Sequence, residues 1–247
     1  MIKDKYIKGD GIEIPYIWNV NPGHKMILLC LHGFTGSKES IVITALTEAL
    51  DDKGIGVVTF DWPAHGESNA PDDNLIVENC LSDLEIMLNM IQKRSDLPLS
   101  CFATSFGGYL ATLYRNAHPD IFKYLILRSP ALKMSDVSRG LITEEEFRKL
   151  TGEKIMVGFE RKLFIGKDFY DSLCRNDAFT PAPPHPENIM IIQGGSDDVV
   201  NPKDTLEYAE KNHITINLFE GAGHNYINPG EKERIIEVTE NFLVPRI

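Results

Sequence analysis

Basic charge is what this sequence has least of. Its 25 Lys and Arg face 36 Asp and Glu, for a formal net charge of −11. Nucleic acid and anionic membrane both call for basic patches, so neither fits as a partner. Long hydrophobic runs are missing as well. The longest, Met26 to Leu31, is far too short to span a bilayer. No apolar stretch follows Met1-Ile2-Lys3-Asp4-Lys5, so no signal peptide is legible and a cytoplasmic location is expected. Cysteine is sparse. Cys30, Cys80, Cys101 and Cys174 form no CxxC pair and have no close histidine, which favours structural thiols in a reducing compartment over disulfides or metal ligands. Metal-ligand spacing such as HExxH is absent, and no glycine-rich nucleotide fingerprint follows a strand, so neither metal nor cofactor is implied. Internal repeats and low-complexity tracts are also missing.

What remains is an ordinary globular composition, 43% hydrophobic and 25% charged, on a chain of 247 residues that can bury one sizeable core. Short apolar runs alternate with longer amphipathic segments, the pattern of a parallel sheet covered by helices. Ile12–Ile14 and Tyr16–Trp18, after Gly9-Asp10-Gly11, suggest an antiparallel hairpin. Met26–Leu31, Val57–Phe60, Leu99–Ala103, Tyr124–Leu127, Ile189–Gln193 and Ile216–Phe219 read as core strands buried on both faces. Helices are expected at Glu39–Asp52, Leu75–Arg94, Phe106–Asn116, Pro202–Lys211 and Glu231–Phe242, with Asn201 capping the fourth. From Ala131 to Thr180 the alternation stops. The segment is charged, helical in pattern and carries Phe147, Phe159, Phe164, Phe169, Tyr170 and Phe179. Nine acidic and nine basic residues balance there, so the net charge of −11 sits on the rest of the chain. It reads as an insertion (131–180) covering a core made of 1–130 and 181–247.

Chemistry concentrates at three loops. In Ala103-Thr104-Ser105-Phe106-Gly107-Gly108, a serine stands between a strand and a helix with small residues two positions to either side. Such a sharp turn lifts a hydroxyl above a sheet and aims the helix N-terminus at developing negative charge. Serine needs a base. His224, in Glu220-Gly221-Ala222-Gly223-His224 after the last strand, is presented by a glycine-rich loop expected to be mobile or strained. His24, His118 and His213 occupy loop or helix-end contexts and are expected to be solvated, and His185 lies in a proline stretch. The imidazole in turn needs a carboxylate to fix its tautomer. Gln193 to Val200 offers Asp197 and Asp198.

In this order of Ser, Asp and His the chain resembles the α/β-hydrolase family over essentially its whole length. The resemblance implies a mostly parallel eight-stranded α/β sheet with helices on both faces and an inserted cap. The family's Gly-x-x-Asp-x-x-Val acidic loop matches Gly194, Asp197 and Val200, which selects Asp197. His32-Gly33-Phe34-Thr35-Gly36 looks like its oxyanion loop, implying that the amides of Phe34 and Phe106 bind the oxyanion. Asp61 to Ser68 is similar to the family's Asp-x-x-Gly-x-Gly-x-Ser turn, with Ala64 in place of the first glycine and His65 expected to be structural. The layout and insertion resemble bacterial carboxylesterases of the feruloyl and cinnamoyl type, implying a small-molecule ester substrate with an acyl group read by the insertion's aromatics beside Phe34. Monoacylglycerol lipases share most of these motifs. A peptidase of the proline-iminopeptidase kind would need an acidic amine site, for which Glu144-Glu145-Glu146 is the candidate. A non-catalytic binding protein on the same scaffold would be expected to lack one of the three residues.

Overall fold

The computed structural model describes residues 1–150, 152–158 and 162–247. Ten strands and eight α-helices are found among these residues. The strands are β1 (Ile2–Ile7), β2 (Glu13–Asn19), β3 (Met26–Leu31), β4 (Ile55–Phe60), β5 (Leu99–Thr104), β6 (Leu125–Arg128), β7 (Ile155–Val157), β8 (Leu163–Ile165), β9 (Ile189–Gly194) and β10 (Thr215–Phe219). The helices are α1 (Ile41–Asp51), α2 (Val77–Arg94), α3 (Phe106–Ala117), α4 (Met134–Gly140), α5 (Glu144–Lys149), α6 (Lys167–Arg175), α7 (Pro202–Lys211) and α8 (Glu231–Leu243).

Eight strands form one sheet in the order β1-β2-β4-β3-β5-β6-β9-β10, antiparallel at β1 and β2 and parallel from β4 onward. The period-two geometry of a strand explains why the central runs are apolar throughout. Met26, Leu28 and Cys30 of β3 face α1 and α8, packing with Leu46, Leu50, Ile235 and Phe242. Ile27, Leu29 and Leu31 face the other way, into the cluster that holds Leu84 and Met87 of α2, Leu110 of α3 and Tyr208 of α7. On α2 the buried residues Val77, Cys80, Leu84, Met87, Leu88 and Ile91 recur at helical spacing, while Lys93 and Arg94 occupy the last turn, where cations suit the helix dipole. Asn201 caps α7 as expected, its side chain accepting from the Lys203 amide at 3.1 Å. Cys30, Cys80 and Cys101 are buried free thiols, and burial pushes each thiol's pKa up.

Four sequence expectations need correction. β10 is an edge strand in which Phe219 is buried and Ile216, Asn217 and Leu218 are half-buried, so it is not covered on both faces. The antiparallel hairpin expected at the N-terminus is present, but Ile12–Ile14 and Tyr16–Trp18 belong to one arm of it. Both lie on or beside β2, whose hairpin partner is β1, with Ile2 opposite Trp18 and Ile7 opposite Glu13. Every residue of β1 is exposed, so no apolar alternation marked it. The stretch 131–180 is not purely helical: β7 and β8 pair antiparallel with Ile155, Val157, Leu163 and Ile165 buried and Met156 and Phe164 exposed. His24 is buried rather than solvated, its Nδ1 accepting from the Asn21 amide at 3.1 Å.

The parallel strands place their C-terminal ends along one edge. The chain leaves β3 to one side for β4 and returns to the other side for β5, so the strand order reverses at β3. In open α/β sheets the crevice beyond such a reversal is where ligands bind. Ser105 follows β5, and Phe34 follows β3.

Candidate active site

Ser105 sits in a backbone conformation that few residues adopt, with φ 51° and ψ −113°. The turn is held on both sides: the Ser105 amide donates to the Arg128 carbonyl at 2.9 Å, and the Ser105 carbonyl accepts from Ala131 at 3.2 Å. Strain of this kind persists only where the surroundings over-determine it. The glycine two residues on is required by space, because a Cβ at Gly107 would lie 2.6 Å from the His32 carbonyl oxygen and 2.8 Å from that of Leu31. Ala103, where the usual pattern has glycine, is fully buried without displacing the turn.

Ser105, His224 and Asp197 come together in sequence of contact. His224 Nε2 lies 3.1 Å from Ser105 Oγ, and its Nδ1 lies 2.9 Å and 3.1 Å from the two Asp197 carboxylate oxygens. Asp197 also accepts from the amides of Val199 and Val200, at 3.0 and 2.8 Å, and from the Gln193 side chain at 3.2 Å. Burial by itself raises the pKa of this carboxyl. The hydrogen bond and charge of His224, with the Val200 and Val199 amides, outweigh that and hold it below the usual carboxylate range. Asp198 is exposed and does not face the imidazole. The carboxylate can therefore fix Nδ1 as the protonated nitrogen, leaving Nε2 free to accept the serine proton.

The loop carrying His224 is pinned rather than mobile. The Ser196 amide donates to the Ala222 carbonyl at 2.9 Å, and Arg128 Nη2 donates to the His224 carbonyl at 3.3 Å. A Cβ at Gly194 would meet the Ala222 carbonyl oxygen at 2.5 Å, so the acidic loop and the histidine loop touch backbone to backbone. Arg128, Gln193, His32 and His65 support the site and were not singled out for it in the sequence. A buried charge or amide closing an apolar strand is the signal that Arg128 and Gln193 offer.

The two expected oxyanion residues lie on adjoining loops. Phe106 opens α3, so its N–H belongs to the first turn, which has no intrahelical acceptor. Phe34 follows Gly33, whose added Cβ would stand 3.2 Å from Ser105 Cβ. The Gly33 carbonyl, in the same trans peptide as the Phe34 N–H, bonds His32 Nδ1 at 2.8 Å and the Gly36 amide at 3.1 Å, which fixes the direction of that N–H.

Of the aromatics in 131–180, Phe169 alone among the described residues has a ring contact with Phe34, stacking on it at 5.5 Å. It also meets the Phe106 ring edge-on at 6.2 Å. Phe147 packs against Tyr170, Phe179 against Tyr208, and Phe164 is exposed; Phe159 lies outside the described residues. A cleft of about 400 Å³ opens between α4 and the start of α7, with Leu132, Val137, Leu141 and Val199 among its walls and no aromatic residue lining it. Glu144, Glu145 and Glu146 are engaged as a helix start. Thr143 and Glu146 form a reciprocal cap, Glu144 pairs with Arg139, and Glu145 pairs with Lys149. Among the described residues no group of His, Cys, Asp or Glu is arranged to hold a metal ion, and no helix is long and apolar enough to cross a membrane.

This sheet, with its strand-turn-helix serine and the loops that meet it, defines an α/β-hydrolase. A model of the family described as serine aminopeptidase, S33, matches residues 22–180, and the chain belongs to that family. Among characterised relatives, bovine monoacylglycerol lipase ABHD6 is 27% identical over 51% of this chain and 37% of its own. Protein phosphatase methylesterase 1 of Candida albicans is 31% identical over 41% of this chain and 28% of its own. The chain thus spans well under half the length of these two relatives. The structure of Est1E from Butyrivibrio proteoclasticus with ferulic acid bound superposes with a TM-score of 0.84 at 21% identity, covering 98% of each chain. α/β hydrolase domain-containing protein 10 from mouse gives 0.79 at 14% identity, also over 98% of each chain.

Proposed function

We propose that this protein is a serine esterase that cleaves a carboxylic ester through an acyl-enzyme on Ser105, with Asp197 and His224 completing a catalytic triad. The observation that carries the reading is the unbroken chain of contacts from Ser105 Oγ through His224 to Asp197, at 3.1 and 2.9 Å. Ser105 Oγ attacks the ester carbonyl carbon while His224 Nε2 takes its proton. The carbonyl oxygen becomes an oxyanion held by the Phe34 and Phe106 amides, each such donor being worth about 10² to 10³ in rate. Collapse expels the alcohol, which receives the proton from His224. Water, deprotonated by the same imidazole, then attacks the acyl-enzyme, and the carboxylic acid leaves as Ser105 regains its proton.

An ester is favoured over an amino-terminal peptide by the state of Glu144, Glu145 and Glu146, whose carboxylates are engaged by Arg139 of α4, by Lys149 and by the Thr143 cap. The segment 131–180 is read as a cap. Phe169, stacked on Phe34, is its point of contact with the acyl side, and an aromatic acyl group of the hydroxycinnamate class is the substrate that such rings would suit. The likeness in fold to an esterase structure holding ferulic acid supports trying that class first.

The test is labelling with a fluorophosphonate followed by a panel of p-nitrophenyl, hydroxycinnamoyl and aminoacyl substrates. The expected result is one adduct, on Ser105, and turnover of esters well above amides. Absence of the adduct, or amide turnover exceeding ester turnover, overturns the proposal.

A further inference from the structure

His65 lies in the turn between β4 and α2, a fully buried histidine that the proposed chemistry leaves unused. Its Nδ1 is 2.9 Å from the Pro63 carbonyl oxygen, which can only accept, so the proton resides on Nδ1. Nε2 is then an acceptor, and the Thr35 amide donates to it at 3.1 Å. Thr35 is a β-branched residue held at φ 62°, a left-handed conformation that such residues avoid. A threonine stays there only if neighbouring contacts fix it, and the bond to His65 is one that does.

The same ring braces both residues whose amides face the proposed oxyanion. It stacks on the Phe106 ring at 6.5 Å and 17°, and meets the Phe34 ring edge-on at 5.6 Å. The two peptide groups flanking the Phe34 Cα are therefore each tied to an imidazole. On one side His32 holds the Gly33 carbonyl, and on the other His65 holds the Thr35 amide. The turn that carries His65 is itself fastened to this loop. Asp61, fully buried, takes the Lys38 amide at 2.7 Å and the Lys38 ammonium at 2.8 Å. A Cβ at Gly66 would collide with the Asp61 carboxyl at 2.0 Å, so the turn must wrap that carboxylate closely.

We propose that His65 is a positioning residue of the active site: its Nε2 and ring set the orientation of the Phe34 amide, and through Phe106 that of the second oxyanion donor. The inference rests on the serine esterase reading. Oxyanion stabilisation depends on donors aimed at where charge develops, not at the ground-state carbonyl, so a misaimed donor lowers kcat more than it raises KM.

The test compares His65→Phe, which keeps a flat ring and loses the acceptor, with His65→Gln, whose carbonyl oxygen restores one. With a p-nitrophenyl ester, His65→Phe is expected to lower kcat by about 10- to 100-fold with KM within about twofold. Phosphonylation of Ser105 by a fluorophosphonate should slow by a similar factor, because its P=O occupies the same donors. His65→Gln should recover to within about fivefold of the unmodified protein. Equal loss in both variants, unchanged kcat in a folded His65→Phe, or a change confined to KM overturns the proposal. Independently of whether either variant folds, the Thr35 amide of the unmodified protein should be strongly protected from hydrogen exchange, and exchange at the rate of an open loop overturns it. If the unmodified protein is not labelled at Ser105, the esterase reading falls instead, and Thr35 protection still decides whether His65 holds the loop.

Discussion

The loops around Ser105 and the segment between β6 and β9 are built in opposite ways. Around Ser105 the backbone decides. Ser105, Thr35 and Ala64 all hold positive φ, and Gly107, Gly194 and Gly66 lie where a Cβ would strike a neighbour within 3 Å. In the segment, side chains decide. Ile155, Val157, Leu163, Ile165, Phe169 and Leu173 drop apolar groups into the same core cluster as α2 and α3, a demand that many apolar residues satisfy. Geometry that only certain residues tolerate suits chemistry, where a displacement of 1 Å is costly. Packing that tolerates exchange leaves the sequence of this segment less constrained.

The sharpest way to break this contrast is at the serine. Ser105→Ala should lower turnover of p-nitrophenyl esters by about 10⁵ to 10⁶ while the thermal unfolding midpoint stays close to that of the unmodified protein. A variant retaining a tenth of the activity would show that the strained turn serves something other than nucleophilic attack.

Next in size is the pair of aspartates. Asp197→Asn should cost about 10⁴ in kcat by leaving His224 in the wrong tautomer. Asp198→Asn, one residue along but exposed, should stay within about twofold. The reverse ranking would mean that the loop works in another register than the one its contacts to His224 describe.

On the other side of the comparison stands Phe169, 3% exposed and stacked on Phe34. Phe169→Ala should destabilise the fold by about 3 kcal/mol, in the range for large-to-small changes in a core. Phe169 is the proposed contact with the acyl side, so kcat/KM for a hydroxycinnamoyl ester relative to p-nitrophenyl acetate should fall by about tenfold. Equal change for both esters would mean that this segment supports the fold without reading the acyl group.

The same contrast explains what was legible in the sequence. The central strands and α2, α3, α7 and α8 were readable because two buried faces or one buried stripe leave a periodic record. Ser105 and His224 stand out because small residues at fixed offsets mark the turns that present them, whereas Asp197 is separated from Asp198 only by the resemblance to the family's acidic loop. β1 left no such record, since its stability comes from backbone pairing with β2 and its side chains all meet water. The β7–β8 pair, three residues to each strand, is too short for alternation to separate from helix. The direction of the aromatics in 131–180 depends on tertiary placement, which the pattern of residues does not record; among the described ones Phe169 is the one whose ring meets Phe34.

The smallest effect expected is on acid stability, and it contrasts two buried aspartates. Asp197 has its pKa lowered: burial opposes ionisation, but His224 and the Val200 and Val199 amides more than offset it. Asp83 on α2 has its pKa raised, because burial outweighs its ion pair with Lys8 at 2.9 Å. The signs follow from proton linkage. Below the unfolded carboxyl value of about 3.9, the native state of Asp197 binds fewer protons than the unfolded chain. Its contribution is therefore complete above that pH and is lost as pH falls toward the depressed native value. Asp83 acts the other way: above about 3.9 its native state binds more protons than the unfolded chain, so its contribution is complete at low pH and shrinks as pH rises through the elevated native value. Urea unfolding from pH 3 to 6 separates them. Asp197→Asn should flatten the loss of stability on acidification, and Asp83→Asn should steepen the rise of stability with pH above about 4. An unchanged acid limb in Asp197→Asn would mean that the contacts around this carboxylate persist in the unfolded chain or are too weak to hold its proton off, and the backbone-built loop would then lack the electrostatic advantage its geometry implies.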